Sequence, residues 1–286
     1  MKNYFKLMTA SALLTLALNA CQPIVAPTTG TTSETATAAI PELLIHAHDY
    51  SFDLPKQIEG GLVKVTMMAE GKEPHHAQLA RLNEGATMEQ FMGALQTDPG
   101  AALGMITLPG GTAPIDPGAS SSVIVNLTPG NYIVLCFIPS ADGVPHMAKG
   151  MISPLTVVAG TTRHSEPIAQ ATVKLLDFSF VLPSDIKAGK QTWKVVNEGE
   201  QVHEINLMKL AEGKTMDDLM AWMSKPEGPP PFANAGGFNG IDPKQTGWME
   251  LDLTPGSYIA ICHVPDSATG KAHSELGMML PFEVKS

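Results

Sequence analysis

The stretch EGKEPHHAQLARL, beginning at Glu70, returns as EGEQVHEINLMKL beginning at Glu198, a spacing of 128 residues. At the same spacing DYSFDLP from Asp49 returns as DFSFVLP from Asp177, and EGATMEQFM from Glu84 as EGKTMDDLM from Glu212. Further along, IDP from Ile115, LTPGNYIVLC from Leu127 and the Gly-Met pair ending at Met151 return at Ile241, Leu253 and Met278, with small drifts in spacing across Gly/Pro loops. A unit written twice in one order is a structural unit used twice. The repeat divides the chain into two tandem domains, 41–159 and 167–286, joined by a short polar linker at 160–166. A chain of 286 residues is long enough for both to bury a core.

Within each copy the pattern predicts short strands. YSFDL and FSFVL alternate, LVKVTMM and QTWKVV are strand-like, and SSVIVNLTPGNYIVLCFI gives two strands joined by a Thr-Pro-Gly turn. With 26 Gly, 23 Pro and 16% charged residues, the composition suits strands and turns, and the class is all-β. One helix interrupts each copy. Thr87 and Gln90 are spaced as a capping box, and Met88, Phe91, Met92 and Leu95 follow at i, i+3, i+4 and i+7. The second copy repeats this with Thr215 and Asp218 and with Met216, Leu219, Met220 and Met223. Methionines are soft metal ligands, but a stripe at helical spacing reads as packing.

The first residues read as a processing signal. Lys2 and Lys6 precede an apolar run from Leu7 to Leu18 that is too short for a permanent membrane span, and Leu18-Asn19-Ala20-Cys21 is similar to a bacterial lipoprotein lipobox. The resemblance implies a signal peptide at 1–20, lipidation of Cys21 and a Thr/Ala-rich tether at 21–40. The whole chain carries −10; residues 1–20 hold two lysines and no acid, so the remainder carries −12. Such a surface excludes nucleic acid as a partner and favours basic proteins.

Four metal-binding residues, of three types, recur at matching places. His75 matches His203, Cys136 matches Cys262, His146 matches His273 and Met151 matches Met278. Two imidazoles and a thiolate in a trigonal plane, with a weak axial thioether, hold copper between the geometries its two oxidation states prefer. Three of the four ligands lie on one loop after a strand, and the fourth on a distant strand. A disulfide between Cys136 and Cys262 would join equivalent points of two domains and is disfavoured.

The ordered set resembles the cupredoxin family, the blue copper proteins. The matching residues are Gly130, Tyr132, Cys136, His146, Met151 and Pro154 in one copy, and Gly256, Tyr258, Cys262, His273, Met278 and Pro281 in the other. The upstream histidine follows E-G-x₃-H in both copies, and Asn197 extends the second to N-x-G-x₃-H. The resemblance implies two Greek-key β-sandwiches, each with a short inserted helix and a type 1-like copper site. The position after the upstream histidine, often Asn in the family, is His76 in one copy and Glu204 in the other, and Ala69 replaces Asn197. Both changes bear on the hydrogen bonds that stiffen the ligand loop.

Beyond the four ligand histidines remain His46, His48, His76, His164 and His263, five where a laccase-like trinuclear cluster needs eight in H-x-H pairs. A nitrite-reductase-like second copper would need three histidines across an interface, for which His76, His263 and the His46/His48 pair are the candidates. The expected function is a copper electron carrier, anchored through Cys21 to the periplasmic side of the outer membrane or to the cell envelope surface. Its redox partner is expected to be basic, such as a cytochrome. The alternatives are copper storage or delivery, a metal-free envelope protein for binding or structure, and the nitrite-reductase-like enzyme.

Overall fold

The computed structural model describes residues 39–97 and 99–286. Cys21, the leader and most of the tether lie outside the described residues. The first repeat builds nine strands: β1 Glu42–His48, β2 Ser51–Asp53, β3 Gln57–Glu59, β4 Gly61–Ala69, β5 His75–Leu82, β6 Ile106–Ile115, β7 Ser120–Leu127, β8 Gly130–Leu135 and β9 Ile152–Val158. The second repeats them in the same order: β10 Ala171–Leu176, β11 Ser179–Val181, β12 Ile186–Lys187, β13 Gly189–Asn197, β14 His203–Leu210, β15 Phe232–Ile241, β16 Thr246–Leu253, β17 Gly256–Ile261 and β18 Met279–Lys285. Each half is a two-layer β-sandwich.

The halves are fused through both layers. The sheet orders are β11-β10-β13-β16-β7-β4-β1-β2 and β12-β18-β17-β14-β15-β6-β5-β8-β9-β3, so each sheet runs unbroken from one repeat into the other. Across one seam Ile115 pairs with Ala235, Thr112 with Phe238 and Pro109 with Ile241; across the other Ile124 pairs with Trp248 and Val123 with Met249. Thr112 and Phe238 are equivalent positions of the two repeats, as are Val123 and Met249. A pseudo-twofold axis therefore passes between them. The apolar residues enclosed by the sheets form a continuous core through both halves.

Backbone and side chains reinforce this seam. Asp242 and Leu108 bond reciprocally: the Leu108 amide donates to Asp242 Oδ2 at 2.9 Å, and the Asp242 amide donates to the Leu108 carbonyl at 2.9 Å. In the mirror position Asp116 accepts from the Asn234 amide at 3.0 Å and from Asn234 Nδ2 at 2.6 Å. Both aspartates belong to the repeated IDP. Phe238 is fully buried, and a Cβ at Gly110 or Gly247 would overlap its ring, so two strands give up side chains to seat it.

Helix α1 (Met88–Thr97) packs Phe91, with Met88, Met92 and Leu95, over Ala80, Ile133 and Leu135 on the outer face of the ten-stranded sheet. A short α2 (Pro99–Leu103) follows, and α3 (Met216–Ser224) seats Leu219, Met216 and Met223 on Met208, Ile259 and Ile261. Both capping boxes form: Gln90 and Thr87 exchange bonds of 2.9 and 3.2 Å, as do Asp218 and Thr215 at 2.9 and 3.3 Å. The methionine stripes are packing, except that Met220 is exposed.

Because Phe238 fills the seam, Phe238→Ala should cost about 3–5 kcal/mol and should destabilise both halves together. Calorimetry is expected to show one transition displaced to lower temperature. Two transitions, with only one displaced, would show that the halves unfold independently.

Candidate metal centres

Each candidate centre is assembled where a strand of the ten-stranded sheet meets the long loop after its neighbour. His75 opens β5, which pairs with β8, and Cys136 directly follows β8. The loop beyond Cys136 is then closed on itself by main-chain bonds. The His146 amide donates to the Ile138 carbonyl at 2.9 Å, Met147 to Cys136 at 2.8 Å, Met151 to His146 at 3.0 Å, and Cys136 to Met151 at 3.3 Å. The second loop repeats the ring: His273 to Val264 at 2.8 Å, Ser274 to Cys262 at 2.9 Å, Met278 to His273 at 2.8 Å and Cys262 to Met278 at 3.1 Å. Cysteine, histidine and methionine are thus bonded to one another through the backbone before any side chain acts. The tyrosines of the repeated G-x-Y anchor the preceding turns, donating to the Thr128 and Thr254 carbonyls at 2.9 and 3.0 Å.

The side chains converge. His75, Cys136 and His146 place their ligand atoms within 4.8 Å of one another, and so do His203, Cys262 and His273. The two Nδ1 atoms are 3.2 Å apart in the first half and 3.0 Å in the second, and the sulfur lies 3.6 Å from His146 Nδ1 and 3.5 Å from His273 Nδ1. An ion bonded at about 2.0 Å to imidazole and about 2.3 Å to thiolate separates its ligand atoms by about 3.3–3.7 Å. The pockets fit. All six side chains are fully buried, and so are Met151 and Met278. A buried set of two imidazoles and one thiolate, with a thioether close in the chain, suits copper. Each half is thus a β-sandwich carrying one buried His-Cys-His set.

No protein-family model matches the chain, and no curated protein does. Among solved structures, the chain is similar to a dithionite-reduced auracyanin from Roseiflexus castenholzii, at 20% identity over 42% of this chain and 99% of that one, with a TM-score of 0.30. It is also similar to a multicopper oxidase, at 18% identity over 87% of this chain and 92% of that one, TM-score 0.27. A copper nitrite reductase from Nitrosomonas europaea aligns at 13% identity over 87% of this chain and 95% of that one, TM-score 0.26. These likenesses are loose and decide nothing by themselves; what this chain shows is two β-sandwich halves with one His-Cys-His set in each.

Several residues around the pockets were not singled out by sequence. Asp49 Oδ1 lies 3.3 Å from His75 Nε2, and Asp177 Oδ1 lies 2.8 Å from His203 Nε2. Gly71 and Gly199 are required there, since a Cβ on either would overlap both the aspartate oxygen and the imidazole. Tyr50 and Phe178, the next residues in the chain, set their rings edge-on to His146 and His273 with centroids 5.3 Å apart. Both adopt positive φ, 67° and 63°. The repeated D-[Y/F]-S-F carried the signal. It marked the repeat, but its Asp and aromatic are also the outer wall of each pocket.

The position after each upstream histidine performs one task with two chemistries. His76 Nε2 accepts from the Phe137 amide at 2.7 Å, and Glu204 Oε1 accepts from the His263 amide at 2.9 Å, so each ties the residue after the cysteine to the histidine strand. Burial lowers His76 to about 3, leaving it a neutral acceptor, and raises Glu204 to about 7. Since His76 Nε2 is engaged by a backbone amide and His46 and His48 lie on the eight-stranded sheet, these do not meet in a third centre. Among the described residues, ligand atoms converge to within 4.8 Å only at the two pockets. Asn197, absent from the first copy, accepts from Gly199 and donates to the Gln201 and Ile241 carbonyls.

The two centres differ in their outer contacts. His146 Nε2 meets Glu73 Oε2 at 2.7 Å, whereas the equivalent Gln201 turns to Asp266 and His273 Nε2 is buried without a protein partner.

Burial pushes the Cys136 thiol up to about 11 and raises Cys262 as well, while it lowers His75, His203 and His273. These three imidazoles are therefore kept in the neutral, ligating form, and the thiol gives up its proton only to an incoming cation. Metal uptake at pH 7–8 should therefore release about one proton per ion, with apparent affinity rising with pH until the thiol titrates. Calorimetry in buffers of different ionisation enthalpy measures this. Uptake without proton release would mean the sulfur is not a ligand.

Proposed function

We propose that the protein is a copper electron carrier, with His75, Cys136, His146 and Met151 holding one ion and His203, Cys262, His273 and Met278 the other. The observation that carries this reading is burial. All these ligands are fully enclosed, whereas a catalytic metal keeps a position open to substrate. A closed site suits outer-sphere electron exchange, in which the rigid loop keeps both oxidation states in nearly one geometry. Tyr50 and Phe178, partly exposed and edge-on to His146 and His273, offer the short route to the surface. Cys21 as lipid anchor, a place on the periplasmic side of the outer membrane or at the envelope surface, and a basic redox partner complete the proposal. The net charge of −10 supports the last by long-range steering.

Cys136→Ser and Cys262→Ser should each remove about half of the blue absorption, and the double variant should be colourless yet folded, because thiolate charge transfer gives the colour. Full colour in the double variant would exclude this ligand set. Glu73→Gln removes a negative charge hydrogen-bonded to one ligand histidine, which favours the reduced ion. Voltammetry should show one of two potentials moving upward and the other unchanged; movement of both together would mean the centres are not separate. Cys21→Ser should release the protein from salt-washed membranes, and continued pelleting would disprove the anchor.

A further inference from the structure

A second kind of metal-binding group lies on the outside of the first half. Strand β1 alternates, with Leu43, Ile45 and Ala47 buried and His46 and His48 turned outward. Residues two apart on a strand project from one face, about 6.7 Å from each other. Glu70, the first residue after β4, reaches both: His46 Nδ1 is 2.7 Å from Glu70 Oε1 and His48 Nε2 is 3.7 Å from Glu70 Oε2. The three side chains are 34%, 47% and 38% exposed, so water and a hydrated ion have access. Met68 pairs in register with His46 and is exposed beside it.

The second half supplies a built-in comparison. There Lys174 stands where His46 does, Leu176 where His48 does, and Val196 where Met68 does, while Glu198 keeps the place of Glu70. Lys174 Nζ sits 2.9 Å from Glu198 Oε1. One carboxylate is answered by a fixed ammonium, the other by two imidazoles.

We propose that His46, His48 and Glu70 form an exposed site for a Cu(II)-class divalent ion, present only in the first half; their three ligand atoms do not lie mutually within 4.8 Å as the side chains stand, so the exposed imidazoles turn inward on the ion as it binds. Two imidazoles with a carboxylate suit borderline divalent ions, and Cu(II) stands highest among them in affinity. The site lies beside the first buried centre: His48 precedes Asp49, which contacts His75, and the loop from Glu70 runs through Glu73 to His75. It is placed to capture copper at the surface next to that centre. It stands independently of the ligand assignment in the pockets.

The test compares the full chain with His46→Lys/His48→Leu, which installs the second half's own residues at exposed positions. Each is titrated with Cu(II) and followed by calorimetry, electron paramagnetic resonance and visible absorption. The wild type should bind one more equivalent per chain than the variant, as a non-blue Cu(II) signal, with the blue absorption the same in both. Equal stoichiometry would overturn the proposal and leave an ordinary surface ion pair. So would an excess of one ion per two chains with dimer formation, since the ligands would then come from two molecules. The difference is read whether or not the buried pockets take copper, so the two readings fail separately.

Discussion

A thiol enclosed with two imidazoles is the constraint on which the rest of the structure depends. Burial makes the thiolate costly without a cation, and a cation is held only if three side chains, two from one loop and one from a strand distant in sequence, arrive within a few tenths of an ångström. The chain meets that demand with its backbone. The amides and carbonyls of Cys136, His146, Met147 and Met151 close one loop, and those of Cys262, His273, Ser274 and Met278 the other. Pairing of β5 with β8 and of β14 with β17 brings the remaining histidine to each. Side-chain positions then follow from main-chain bonds within a packed sandwich, where displacement is resisted from all sides.

The fusion of the halves serves the same end. Each sheet would otherwise expose an edge at β6 or β15 and at β7 or β16; pairing these across the pseudo-twofold axis removes the edges and shares the core. Symmetry is broken where function can use it. His76 and Glu204 make the same backbone contact with a neutral imidazole and a titratable carboxyl, and Glu73 contacts His146 where Gln201 leaves His273 alone. Two centres of one ligand set thereby sit in different fields.

The two His-Cys-His sets were legible because the repeat showed the set twice in one order, and the strands bring each together. The strands β4, β7 and β8 were legible from alternation and the Thr-Pro-Gly turn. The seam was not. ITLPGGTAPI is broken by Gly and Pro and FANAGGFNGI by Gly, and neither pattern marks a strand, yet both are strands, because Gly110 yields to the Phe238 ring and Gly111 to the Ala77 carbonyl. The outer contacts were hidden for another reason. Asp49 and Tyr50 lie far in sequence from the loop they cover, and only the pairing of strands brings them to it.

The most direct test is a crystal structure of the copper-loaded protein with anomalous scattering measured at the copper edge. The account predicts one peak in each pocket, bonded to Nδ1 of both histidines and to the cysteine sulfur, with the protein ligand atoms displaced by no more than about 0.5 Å from their present positions. Absence of copper from both pockets, or rearrangement of the Cys-to-Met loops to reach it, would contradict it.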